Sequence, residues 1–182
     1  MQIPNRLKVL LAGLSCLCLI QACDYLPSNS PPLTFENDIL RFDYPENWKV
    51  DSGGAPGGLQ YVIVSGPSST EVIFQIYPKQ GAPSLQEFAD WFSQEFKQLI
   101  NFGEIEKINF SETKKKFGSL ELSGIREDFM LSVFGFEIPH NREYFAYGGD
   151  ELLVFCVFQI SNDGAVLWSE SLPRIQESLV FN

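Results

Sequence analysis

Leu152 to Ile160 reads Leu-Leu-Val-Phe-Cys-Val-Phe-Gln-Ile and is apolar on both sides of a strand. Leu153, Phe155 and Val157 point one way; Val154, Cys156 and Phe158 point the other. A strand with one face in water alternates apolar with polar residues, so this one is expected to be central and covered on both faces. Arg142 to Tyr147 precedes it across Gly148-Gly149-Asp150-Glu151, and the two segments read as a hairpin.

The rest of the chain has to supply the covers. Ser84 to Ile100 is the strongest helix signal. Ser84-Leu85-Gln86-Glu87 is a capping box, and Leu85, Phe88, Phe92, Phe96 and Leu99 form one stripe with Trp91 at its edge. Asn101-Phe102-Gly103 ends it. Ala165 to Phe181 carries a second helical period through Leu167, Leu172, Ile175 and Leu179, with Pro173 predicting a kink or a start just before it. Ile39 to Tyr44 is a strand with Leu40, Phe42 and Tyr44 on one face, stopped by Pro45-Glu46-Asn47. Gln60–Ser65 and Glu71–Tyr77 form a second expected hairpin around Gly66-Pro67-Ser68-Ser69. Strands are also expected over Glu104–Phe110 and Phe117–Glu127, with Thr113-Lys114-Lys115-Lys116 as a basic turn and the glycine run at 53–58 as a flexible loop. The sum is α+β, with a mostly antiparallel sheet of about six strands and two main helices.

The first residues are of a different kind. Arg6 and Lys8 precede a 12-residue uncharged run from Val9 to Ile20, too short for the ~20 residues that span a bilayer and suited to the core of a secretory signal. Ile20-Gln21-Ala22-Cys23 then resembles the lipobox of bacterial lipoproteins. That resemblance implies cleavage between Ala22 and Cys23 and a diacylglyceryl group on Cys23. Asp24 resembles the signal that keeps such proteins in the inner membrane, with the outer membrane as the alternative. The organisation expected is a lipoprotein signal peptide over 1–22, a lipidated cysteine and flexible tether over 23–33, and a single domain over 34–182. The tether reads Asp-Tyr-Leu-Pro-Ser-Asn-Ser-Pro-Pro-Leu after the cysteine, a proline-rich, semi-extended chain. The expected location is the cell envelope, lipid-anchored and facing the periplasm.

Cleavage would remove Arg6 and Lys8 and no acid, taking the net charge from −10 to −12. An acidic chain argues against nucleic acid as a partner, because phosphate binding needs a basic footprint. Cys16 and Cys18 would leave with the signal and Cys23 would be acylated. Cys156 then remains as a thiol in an apolar strand, with no disulfide partner.

Phe42-Asp43-Tyr44-Pro45-Glu46-Asn47-Trp48 resembles the entry motif of the PsbP/Mog/DcrB-like superfamily, Phe-x-Tyr-Pro-x-x-Trp. The hairpin over Tyr144–Ile160 and the closing Glu177-Ser178-Leu179-Val180-Phe181 are similar to that family's ending. The resemblance covers nearly all of 34–182. It implies an α/β/α sandwich around an antiparallel sheet and a non-enzymatic role, since members mostly bind or help assemble other proteins. Some members bind metal through histidines and carboxylates; with one histidine here, that site does not carry over.

The residues themselves hold no catalytic constellation, cofactor motif or metal set. His140 stands alone and reads as an exposed loop histidine. Asp43, Glu46 and Asp51 match no calcium loop. The glycine run lacks the Lys-Ser/Thr of a phosphate loop. One stretch is ambiguous: Phe129, Met130, Leu131, Val133, Phe134, Phe136 and Ile138 are apolar around Gly135 and before Pro139. They form either a core strand that continues the sheet or an exposed loop that docks a partner or dips into the bilayer. The functional expectation is a non-enzymatic, lipid-anchored envelope protein that binds another protein in assembling or maintaining a complex. The alternative is a carrier holding a lipid or metabolite in the aromatic space between sheet and helix.

Overall fold

The computed structural model describes residues 30–54, 57–66, 70–100, 103–161 and 171–182. The expected signal, Cys23 and most of the expected tether lie outside them, as do Pro67–Ser69, Asn101, Phe102 and Leu167. Ten strands and two helices are formed by the described residues. β1 (Leu33–Glu36), β2 (Leu40–Tyr44) and β10 (Val180–Phe181) make a small sheet in the order β1-β2-β10. β3 (Lys49–Gly54), β4 (Gln60–Ser65), β5 (Glu71–Pro78), β6 (Gly103–Phe117), β7 (Leu120–Val133), β8 (Phe136–Gly148) and β9 (Leu152–Ser161) make a seven-stranded sheet in the order β3-β4-β5-β9-β8-β7-β6. Every pairing is antiparallel. The α+β expectation holds; the strand count rises because β3 adds an edge to the large sheet and short β1 and β10, which carry little periodicity, form a second sheet with β2.

β9 is central, as its two apolar faces require. Phe155 and Val157 pack with Ile73 and Tyr144 under α1 (Leu85–Leu99), whose buried Phe88, Ala89 and Phe92 close that layer. Phe88 stacks on Phe155 with centroids 4.1 Å apart. On the other face, Val154, Cys156 and Phe158 join Val72, Phe74 and Ile76 of β5. Leu40 and Phe42 of β2 and Leu172 and Ile175 of α2 (Ser171–Ser178) cover them, with Leu179 beyond the helix. The small sheet and α2 thus share the second face, and burying each such side chain contributes roughly 1.5–3 kcal/mol. The aromatic side chains between sheet and α1 pack on one another.

Local chemistry sets the ends. Ser84 Oγ accepts from the Glu87 amide and Glu87 Oε2 accepts from the Ser84 amide at 2.8 Å, the capping box expected. The Ser84 amide and the Ser84 hydroxyl both donate to Glu87 Oε2, and these two hydrogen bonds hold the Glu87 carboxyl below its usual range. α2 begins just before Pro173, which sits in the first turn, where its missing N–H costs nothing.

Two expectations are corrected. Thr113–Lys116 is not a turn: β6 runs through it to Phe117, and the turn is Gly118-Ser119. Fully buried Phe117 fixes the phase, turning Thr113 and Lys115 inward and Lys114 and Lys116 outward, and Lys115 ion-pairs with Glu143 of β8. A lysine-rich edge strand resists pairing with a further chain. The glycine run is likewise shorter than a loop over 53–58, because Gly53 and Gly54 belong to β3 and pair with Tyr61 and Gln60.

Candidate functional site

The apolar stretch from Phe129 to Pro139 is neither one strand nor a loop. It is the tip of the β7–β8 hairpin, with Val133 opposite Phe136 and Phe134-Gly135 as a two-residue turn. Both turn residues have positive φ, +50° and +82°, as a type I′ turn requires. Asn, Asp or Gly normally occupies the first of these places; a bulky side chain there is strained. Phe134 nevertheless holds it with its ring 83% exposed, and Phe136 is 73% exposed.

The last described residue of β9, Ser161, lies opposite His140, and among the described residues β6, β7 and β8 continue beyond it as a three-stranded ribbon. Its two faces differ. Ile105, Leu131 and Ile138 form one row and Val133 and Phe136 the next, on the face that α1 covers farther down the sheet. Ile105 is buried; Leu131, Val133 and Ile138 are half-buried. The opposite face carries Glu104, Ser132 and Glu137 in one row and Glu106, Met130 and Pro139 in the next. Lys107, at a bulge with φ +55°, reaches Glu137 at 2.9 Å, and that pairing raises its pKa. Phe129 differs from the other apolar residues of the stretch: it is buried at the ribbon's base, stacked on His140 with centroids 5.3 Å apart. His140 is therefore a buried strand residue rather than the exposed loop histidine expected, and its Nδ1 lies 3.0 Å from the Ile138 carbonyl.

Below that base lies a feature the sequence did not announce. Glu71, Gln159, Arg142 and Glu127 stand in one cross-strand row over β5, β9, β8 and β7. Arg142 and Glu127 are fully buried, 3.2 Å apart. Arg142 Nε donates to Gln159 Oε1 at 2.6 Å. Glu127 also accepts from the Tyr144 hydroxyl and from Ser93 Oγ of α1. The guanidinium carbon lies 3.7 Å from the Phe96 ring centroid and 4.4 Å from that of Phe129. The row ties helix to sheet at the point where the ribbon leaves the body. Burial pushes the Tyr144 phenol well above its ordinary range, so it stays a donor to Glu127. Burial likewise pushes the Cys156 thiol up, and this free cysteine is an inert core side chain. Among the described residues no His, Cys, Asp and Glu group is placed to hold a metal ion.

Glu71 ends the row. Burial raises its carboxyl from 4.5 to about 7, with Arg142 opposing the shift. Between those values the folded chain holds a proton that the unfolded chain has lost. This group's contribution to stability is therefore greatest below pH 4.5, falls as pH rises, and is level above about 7. Discounted for its part exposure, the loss is about 1–2 kcal/mol. Glu71→Gln should remove it: the variant should exceed the parent in urea-unfolding stability at pH 8 by that amount and match it near pH 4.

No protein-family profile matches the chain, and no curated protein sequence matches it. Among solved structures, the solution structure of cyanobacterial PsbP (CyanoP) from Synechocystis sp. PCC 6803 is similar over 90% of this chain and 99% of that one, with a TM-score of 0.53 and 11% identity. LpqN of Mycobacterium tuberculosis, described as involved in cell envelope biogenesis, aligns over 85% of this chain and 87% of its own at a TM-score of 0.45 and 9% identity. At these identities the likeness to CyanoP is one of fold: a mostly antiparallel sheet with two helices, PsbP-like.

Proposed function

We propose that this PsbP-like domain is the non-enzymatic, protein-binding part of a lipid-anchored envelope protein, and that it docks its partner with the β7–β8 hairpin tip. The observation that carries the reading is Phe134. Its backbone conformation is unfavourable for a bulky residue and its ring gains almost nothing from burial in the fold. A residue that destabilises its own turn while presenting an aromatic ring to water is well explained by contact with something else. Phe136 beside it doubles the apolar area.

The anchor rests on the Ile20–Cys23 pattern, and the chain's point of entry into the domain sets which end of the sheet such an anchor would hold. Leu33 of β1 lies opposite Tyr44, and only the Pro45–Trp48 turn separates Tyr44 from β3. β3 opens at Lys49, at the end of the row that runs through Ser65, Glu71 and Gln159 to Arg142. The tether thus joins the domain at the end of the sheet from which the ribbon projects. The tether's reach is on the order of 30 Å, and the ribbon extends roughly 20 Å past Arg142. On this reading the tip lies within reach of the membrane surface.

Phe134→Asn separates stability from binding. The Asn-Gly pair suits the turn, so the variant should be more stable than the parent by about 0.5–1 kcal/mol in chemical denaturation. Its association with the envelope partner, read as co-purification after cross-linking in intact cells, should fall at least tenfold. A variant that gains stability and keeps its partner would remove the tip from the interface.

A further inference from the structure

Resting on the protein-docking reading of the hairpin, we infer that the partner surface is an apolar polypeptide segment rimmed by lysine or arginine, and is not the bilayer itself. The inference comes from the ribbon's second face. Glu104 and Glu106 are exposed on β6, and exposed Glu137 follows Phe136 directly on β8. Lys107 is the cation among them, already paired with Glu137. Three carboxylates against one ammonium leave the tip acidic, on a chain whose net charge is −10.

That charge decides between the two occupants an aromatic tip admits. Phe134 and Phe136 would suit the headgroup zone of a membrane as well as a protein pocket. Entering an anionic headgroup layer, however, would bring Glu104, Glu106 and Glu137 against lipid phosphates, and repulsion of like charges would oppose it. Amphipathic elements that lie on anionic membranes carry Lys and Arg on their polar face; here the sign is opposite. A protein pocket that seats two rings buries the carboxylates at its rim, where cations both attract them and screen out other partners. The ribbon is also amphipathic by construction, because residues at even spacing along β6 put Glu104 and Glu106 on one face and Ile105 on the other. A partner pocket that closes over the tip meets Leu131, Val133, Phe136 and Ile138 on one face of the ribbon and the carboxylates of Glu104, Glu106 and Glu137 on the other.

The test uses the full lipid-anchored chain in the envelope of the producing bacterium. A photoreactive benzoylphenylalanine replaces Phe136, and the adducted species is identified by mass. The expected adduct is a polypeptide segment with apolar residues flanked by Lys or Arg. Its yield should drop about five- to tenfold in Glu104→Lys/Glu106→Lys. It should be unchanged in Lys114→Glu/Lys116→Glu, which alters charge on the same strand far from the tip. Thermal melts of each variant matching the parent keep the comparison one of binding. An adduct to phospholipid, or to a segment without cations, overturns the inference. So does a protein adduct whose yield ignores the reversal at Glu104 and Glu106, and that result leaves the docking reading intact. Absence of any adduct overturns both.

Discussion

Replacing Arg142 by methionine should lower the domain's unfolding free energy by about 3–5 kcal/mol and its melting temperature by about 10 °C. The size follows from what is left behind. Glu127 is fully buried and ion-paired with Arg142, and without the guanidinium its charge has no counterion. The Phe96 and Phe129 rings lose their cation, a contribution of about 2 kcal/mol where water is excluded. Gln159 Oε1 loses its donor. The matching prediction is that removing the whole network costs less than removing one member. In Arg142→Met/Glu127→Leu/Tyr144→Phe/Ser93→Ala the buried ion pair and every donor to Glu127 go together, and at pH 5 the remaining Glu71 is protonated and needs no counterion, so most of the lost stability should return at that pH. Calorimetric melts of the single and the fourfold variant decide the point. Equal destabilisation in both would mean that the row acts through shape and packing, and that charge balance at the ribbon's base matters little.

That row also marks the boundary of what a linear reading reaches. The alternation of β9 announced both its faces: Phe155 and Val157 lie under α1, while Cys156 and Phe158 lie against the second layer, as the phase of Leu152–Ile160 implies. The capping box at Ser84 fixed the start of α1 because helix signals are local. Glu71, Glu127, Arg142 and Gln159 lie on four strands, and only the register of the sheet brings them together. One trace was present. Arg142 falls in phase with Tyr144, and Glu127 with Ile125 and Phe129, so two charges occupied inward positions of otherwise sound strands. The lysines of β6 misled in the opposite direction. Three consecutive cations look like a solvated turn, but on an edge strand the outward pair sits in water and the inward one finds Glu143. The hairpin tip was visible as an apolar stretch broken by Gly135. What the stretch hid was that Phe134-Gly135 is a turn of the kind usually made by Asn-Gly, and this follows only from the pairing of Val133 with Phe136.

Cys23→Ala should abolish lipid attachment, and with it both the membrane fraction of the protein and most of the contact made by the hairpin tip. Each buried methylene contributes ~0.8 kcal/mol to anchoring, and one acyl chain is marginal where two or three hold firmly. In the proposed anchor the cysteine sulfur would carry the first two, so alanine would remove the attachment rather than weaken it. The mass of the purified protein should lose the diacylglyceryl increment. The uncut alternative should substitute poorly, because the Val9–Ile20 run is 12 residues, short of the ~20 that a spanning helix needs. The second effect is one of effective concentration. A tethered domain meets a partner at the same surface as though at millimolar concentration, and a released one meets it at its bulk concentration. The Phe136 adduct should therefore fall more than tenfold although no residue of the tip has changed, and fusing the released domain to an unrelated membrane anchor through the same tether should restore it. A Cys23→Ala protein that keeps its membrane fraction would place the attachment elsewhere in the chain. One that is released yet keeps its adduct would mean that the acidic aromatic tip holds its partner without help from the anchor.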